Sequence, residues 1–215
     1  MKLEGMTINF LGDSITEGVG VSDNSKMYFE LVKNTYGLSK VNGYGISGSR
    51  FADQKKPDPN LAQDRYFASR IDGMEDADCV VVFGGTNDFG HGDAPIGAFS
   101  DRTPATFYGA CHDLFARLIE KYPGKPIVIM TPLHRIEEDD TRVKHGVSVT
   151  LKTYIDVIRE VAEFYSLPIC DLFKNSGLQP RVEIIKEKYI PDGLHPNDEG
   201  HEILASRLGE FLSKL

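Results

Sequence analysis

Along the chain, short apolar runs alternate with longer stretches in which apolar residues recur every three or four positions. The runs are "TINFL" from Thr7, "CVVVF" from Cys79, "IVIM" from Ile127 and "LPICDLF" from Leu167, with a weaker one, "KVNGYG", from Lys40. Their brevity and β-branched content suit strands buried on both faces of a parallel sheet. Between them, Phe107, Ala110, Cys111, Leu114, Phe115, Leu118 and Ile119 share one helical face, with Thr103 and Pro104 as cap and first-turn residues. A second helix gathers Leu151, Ile155, Ile158, Ala162 and Tyr165 behind a cap at Ser148. A third carries Ile203, Leu204, Leu208, Phe211 and Leu212 to the end.

Strand followed by helix, repeated, predicts an α/β fold: a parallel sheet with right-handed crossovers that lay helices over both faces. Five strands in a flavodoxin-like, three-layer α/β/α sandwich account for the length, and residues 1–215 fit a single domain. There is no internal repeat, low-complexity tract or dividing linker. Two segments are too polar for core, "QKKPDPNLAQDR" from Gln54 and "HRIEEDDTRVKHG" from His134. Both read as solvated surface loops, and the second, which follows a strand, is the better candidate for a lid.

Composition narrows the function class. With 24 basic and 32 acidic residues the formal charge is −8, which argues against a nucleic-acid or anionic-membrane surface. Cys79, Cys111 and Cys170 are widely spaced in apolar stretches and read as reduced core thiols. The opening "MKLEGMTINF" has no long apolar region and no small-residue cleavage site, so a cytoplasmic location is expected.

In an open parallel sheet, ligands bind outside the carboxyl ends of the strands, so the residues following each strand are read together. After the first comes "GDSITEG" with Ser14. After the second comes "GYGISGSR" with Gly45 and Gly48, and after the third "GGTNDFG" with Asn87. Near the C-terminus, "PDGLHPNDEGH" offers Asp192 and His195. Acyl transfer needs this inventory: a nucleophile, an imidazole to take its proton, a carboxylate to orient the imidazole, and donors for the developing oxyanion. A spacing of three lets Asp192 reach back to Nδ1–H of His195, leaving Nε2 to face the serine.

These four blocks, "GDS", the glycine of "ISGS", "GTND" and "DGLH", stand in order from residue 12 to residue 195, and the sequence resembles the SGNH hydrolases, also called the GDSL esterase and lipase family. The resemblance implies that Ser14 is the nucleophile, Asp192 and His195 its catalytic partners, and that the N–H of Ser14, Gly48 and the Asn87 amide form the oxyanion hole. It also implies hydrolysis of an ester or thioester through an acyl-enzyme, with no cofactor. Isoleucine follows the serine where the family name has leucine, a similarly sized apolar side chain. The G-x-S-x-G elbow of α/β-hydrolases is not found.

Neighbouring polar residues have plainer readings. Asp13 suits a turn or cap, Asp88 a structural acceptor, and His201 a surface or capping position at the start of the last helix. His91, Asp93, His134 and His145 match no zinc or EF-hand spacing, and no metal is expected. Arg50, Phe51, Phe89, His91, His134 and Arg135 fall at the catalytic edge, of which Arg50, Phe89 and His134 are the candidates for substrate contact. The polar stretch "HGDAPIGAFSDR" suits a carbohydrate-like or other polar alcohol, so the expected substrate is a small-molecule ester carrying a short acyl group, acetyl first. Competing readings are a thioesterase or lysophospholipase for longer chains, an acyltransferase with the same triad, and a non-catalytic binder. No nucleic-acid or membrane partner is expected, and a homo-oligomer is allowed.

Overall fold

A computed structural model describes residues 1–215 other than Lys56 and Pro59, which fall in the polar Gln54–Arg65 segment and lie outside the described residues. In chain order the elements are β1 (Thr7–Gly12), α1 (Ser14–Glu17), α2 (Tyr28–Tyr36), β2 (Lys40–Gly45), β3 (Cys79–Phe83), α3 (Thr86–Gly90), α4 (Phe107–Lys121), β4 (Ile127–Met130), β5 (Arg142–Lys144), β6 (Val147–Val149), α5 (Leu151–Phe164), β7 (Ile169–Cys170), α6 (Leu172–Asn175), α7 (Glu183–Tyr189) and α8 (Asp198–Ser213). A 3₁₀ segment, Phe67–Gly73, precedes β3.

Five strands form one parallel sheet in the order β2-β1-β3-β4-β7, with Leu11 of β1 paired to Tyr44 of β2 and Val82 of β3. This is the expected flavodoxin-like order, in which β1 and β3 lie side by side and their carboxyl ends open a crevice. Every residue of β3 is buried, as expected of a central strand, whereas the edge strand β2 is partly exposed throughout.

Strand alternation divides the core into two layers. Leu11, Val80, Val82 and Ile129 face α4, α5 and the 3₁₀ segment. Ile8, Phe10, Val81, Phe83 and Met130 face α2 and α8. Cys79, Cys111 and Cys170 are buried and unbridged, and burial pushes all three thiols upward. Among the described residues no helix is long and apolar enough to cross a membrane.

Three local expectations are corrected. Helix α4 is capped by Thr106, whose Oγ1 accepts from Gly109 N–H, rather than beginning at Thr103 and Pro104. Helix α5 starts with a capping box between Thr150 and Thr153, not at Ser148, because Ser148 is paired with Val143 in the antiparallel hairpin β5–β6. That hairpin is the third correction. The segment from His134 is irregular and mostly exposed as expected up to Thr141, but then enters β5, where Lys144 Nζ bonds to Gly92 O and His145 Nε2 meets Asp93 O, fastening it beside the turn after β3. Val143 and Val147 stay exposed, so no apolar alternation advertised these strands.

Candidate active site

The end of β1 delivers Ser14 into the first turn of α1. Asp13 caps that turn, its Oδ1 accepting from Ile15 N–H at 3.1 Å, so it is the cap ligand expected. Burial pushes the Asp13 carboxyl up to about 6, against the pull of the Ile15 N–H, His195 and Arg70. Helix α1 can sit this close to the sheet because β2 ends in glycine: a Cβ on Gly45 would lie 2.2 Å from the Glu17 backbone nitrogen.

Ser14 is nearly buried, and its Oγ is 3.0 Å from Nε2 of His195. On the far side of the ring, Nδ1 lies 2.6 Å from Oδ2 of Asp192. The other carboxylate oxygen, Oδ1, accepts the backbone N–H of Leu194 at 2.8 Å and of His195 at 2.7 Å, which fixes the carboxylate before the imidazole reaches it. Burial is the largest single influence on Asp192 and raises it, but the His195 N–H, the imidazole and the Leu194 N–H together outweigh it and hold the carboxyl below its ordinary value. An ionised Asp192 selects the tautomer with hydrogen on Nδ1, leaving Nε2 as an acceptor aimed at the serine hydroxyl.

Gly48 follows β2 and Asn87 follows β3, at the carboxyl edge of the sheet that also presents Ser14. Gly48 has φ +75°, a left-handed conformation that side-chain-bearing residues rarely adopt, and a Cβ there would stand 2.9 Å from Gln63 Oε1. Asn87, in the first turn of α3, uses one amide hydrogen on Ser49 O at 3.1 Å, which leaves its second to offer a substrate. Ser14 opens α1, where helix geometry supplies its N–H with no intrahelical acceptor. Asp88 accepts the N–H groups of Phe51 and Ala52, each at 2.9 Å, and is the structural acceptor expected. Burial raises it to about 7 despite those two bonds and nearby Arg50.

The proposed substrate-contact residues divide differently. Arg50 is buried, ion-paired to Asp64 and bonded to Nδ1 of His91 at 2.9 Å. Partial desolvation, then the charges of Arg50, Lys144 and Arg135, depress His91, although part of its surface stays exposed. Phe89 is wholly buried against Tyr154 with Arg135 and Arg142 over its ring, so it supports the turn rather than lining an open pocket, a correction to its expected role. His134 is engaged by Glu138 at 2.7 Å and stacks on Phe173 beyond β7, so its hydrogen bond and stacking turn it toward the β4–β7 side.

Arg70 escaped sequence reading, and His201 takes a place different from the one expected. Arg70 spans the ends of β1 and β2, and nothing in the surrounding "FASRIDG" marks it. His201, expected at the surface or as a cap, is wholly buried and does cap a helix, though not its own: Nδ1 accepts Tyr28 N–H at 3.0 Å at the start of α2, where Met27 has no capping side chain. Burial drives its imidazole down to about 4.

The GDSL-like Lipase/Acylhydrolase family profile matches residues 10–203. No curated protein matches the chain. One solved structure, 31% identical, aligns over 100% of this chain and 99% of that one with a TM-score of 0.87. A protein from Lactobacillus plantarum is 27% identical over 98% of both chains, with a TM-score of 0.83. An acetyl xylan esterase, 22% identical over 95% of this chain and 98% of its own, has the same fold with a TM-score of 0.64. The family match spans all four blocks, from "GDS" to "DGLH", and the chain belongs to the GDSL-like lipase/acylhydrolase family.

Proposed function

We propose that the protein is a serine carboxylic-ester hydrolase acting on short acyl esters, acetyl first, of a carbohydrate-like or other polar alcohol. The observation that carries the reading is the unbroken hydrogen-bonded chain from Ser14 Oγ through His195 to Asp192. Ser14 Oγ attacks the ester carbonyl as Nε2 of His195 takes its proton, and the negative oxygen is met by the N–H groups of Ser14 and Gly48 and by the Asn87 amide. The C–O bond then breaks, His195 returns the proton to the departing alcohol, and water repeats the sequence on the acyl-enzyme to release the acid. Asp192 stays ionised and stabilises the transient imidazolium.

Two features support a short acyl group and a polar alcohol. The turn after Asn87 continues through the exposed polar groups His91 and Asp93. A structure of the same fold is an acetyl xylan esterase.

The test has two parts. Fluorophosphonate adds to an activated serine, and intact mass with peptide mapping should place one adduct on Ser14 and none on Ser14→Ala. A p-nitrophenyl ester series from acetate to dodecanoate should then decline with chain length. Dodecanoate cleaved faster than acetate would overturn the short-chain reading while leaving the serine mechanism standing.

A further inference from the structure

Arg70 is 6% exposed, and among the described residues no carboxylate lies within ion-pairing distance of it. Its guanidinium is spent on neutral oxygens at the carboxyl edge of the sheet. Nη1 donates to Tyr44 O at 2.9 Å, and Nη2 donates to Gly12 O at 3.2 Å and Ser49 Oγ at 3.3 Å, while the plane rests 4.4 Å over the Phe67 ring. Nε has no partner. Burying a cation without a direct ion pair is expensive, and burial pulls this guanidinium down to about 10 against the opposing charges of Asp13 and Glu17. Leucine or methionine would fill the same space without that cost, so the placement calls for a reason beyond packing.

The acceptors supply one. Gly12 ends β1 two residues before Ser14, and Tyr44 is the penultimate residue of β2, whose turn leads to Gly48. Ser49 adjoins Gly48, and its carbonyl accepts the Asn87 amide at 3.1 Å. One rigid, planar side chain therefore ties the segment that presents Ser14 to the one that presents Gly48, and the Ser49 carbonyl in turn holds the Asn87 amide.

We propose that Arg70 is a positioning residue for the oxyanion hole, setting the distance between the Ser14 turn and the Gly48–Ser49 turn so that their donors converge on one oxygen. The inference rests on the reading of Ser14 as nucleophile. Loss of the guanidinium frees the two turns to shift relative to each other, and a displacement of about 1 Å at such a site costs on the order of 100-fold in rate. The cost falls on the transition state, where the oxyanion exists, and not on ground-state binding.

The experiment compares wild type with Arg70→Met, Arg70→Lys and Ser49→Ala on p-nitrophenyl acetate, together with affinity for a trifluoromethyl ketone that forms a tetrahedral adduct with an activated serine. For Arg70→Met, kcat should fall about 10- to 100-fold with KM within about threefold, and ketone affinity should fall in parallel with kcat/KM. Arg70→Lys should recover part of both losses, and Ser49→Ala, which removes one acceptor, should lose about three- to tenfold. The acid limb of the pH–rate profile should not move, because the His195–Asp192 pair is untouched. If Arg70→Met does not fold, the lysine and Ser49→Ala variants decide by the same readouts. Folded variants that keep wild-type kcat and ketone affinity would overturn the inference alone. A wild type that fluorophosphonate leaves unlabelled would overturn the nucleophile reading, and this inference with it.

Discussion

Protonating His201 should unfold the protein by a calculable amount. Nδ1 already accepts the Tyr28 N–H at 3.0 Å inside the α2–α8 interface, so a proton there would set donor against donor in a wholly buried site. The folded imidazole therefore titrates at about 4, against 6.5 when exposed. Between those values the unfolded chain binds a proton that the native chain does not, so this group's contribution is intact above pH 6.5 and is lost as pH falls toward 4. At 1.36 kcal/mol per pH unit, the full loss is about 3 kcal/mol. That is a substantial share of the roughly 5–15 kcal/mol that stabilises a typical domain. Asp13 and Asp88, raised by burial, act with the opposite sign over overlapping windows, so the wild-type profile alone does not isolate His201. The His201→Asn variant does, because Oδ1 of asparagine occupies the position of Nδ1, keeps the Tyr28 bond and does not titrate. Urea unfolding of both proteins between pH 7.5 and 4.5 should show wild type ahead at neutral pH, by roughly the 1–2 kcal/mol expected of a smaller side chain in the core. That lead should shrink or reverse by about 2–3 kcal/mol by pH 4.5. A difference that stays constant across the range would refute the reasoning.

Other outcomes follow from the same geometry. Asp192→Asn can keep the Leu194 and His195 N–H bonds only by turning its amide nitrogen toward Nδ1, which forces hydrogen onto Nε2 and stops it accepting from Ser14, so kcat should fall about 10⁴-fold at neutral pH. Steady-state rates close to wild type would remove Asp192 from the role of orienting His195. Asn87→Ala deletes the proposed oxyanion donor and should cost about 10²–10³ in kcat with little change in KM, which the same ester assay reads. Asp88→Asn must turn a donor toward Phe51 N–H or Ala52 N–H, leaving a buried group unpaired, and should lower stability by about 1–3 kcal/mol in urea titrations.

What sequence alone determined was whatever is encoded locally or periodically. Runs such as "CVVVF" had no option but burial, and their alternation with helical stretches left few topologies besides a doubly covered parallel sheet. Asp192 and His195 were legible as a pair because three residues of one turn bring them together with no help from the rest of the chain. Ser14, Gly48 and Asn87 were legible because each follows a strand that the sheet aligns at a common edge.

Tertiary structure decided the fate of isolated polar residues. Arg70 and His201 sit in stretches whose pattern would suit a surface position equally well. What buries them is a neighbour far away in sequence, carbonyls of β1 and β2 for Arg70 and the bare N-terminus of α2 for His201. The β5–β6 hairpin was hidden for the complementary reason: its stability comes from cross-strand pairing and anchorage to Gly92 and Asp93, while Val143 and Val147 face solvent. Hydrophobic patterning records what a segment buries on its own account. A hydrogen bond donated from a distant element leaves no period in the sequence, so its acceptor is known only when the two elements meet.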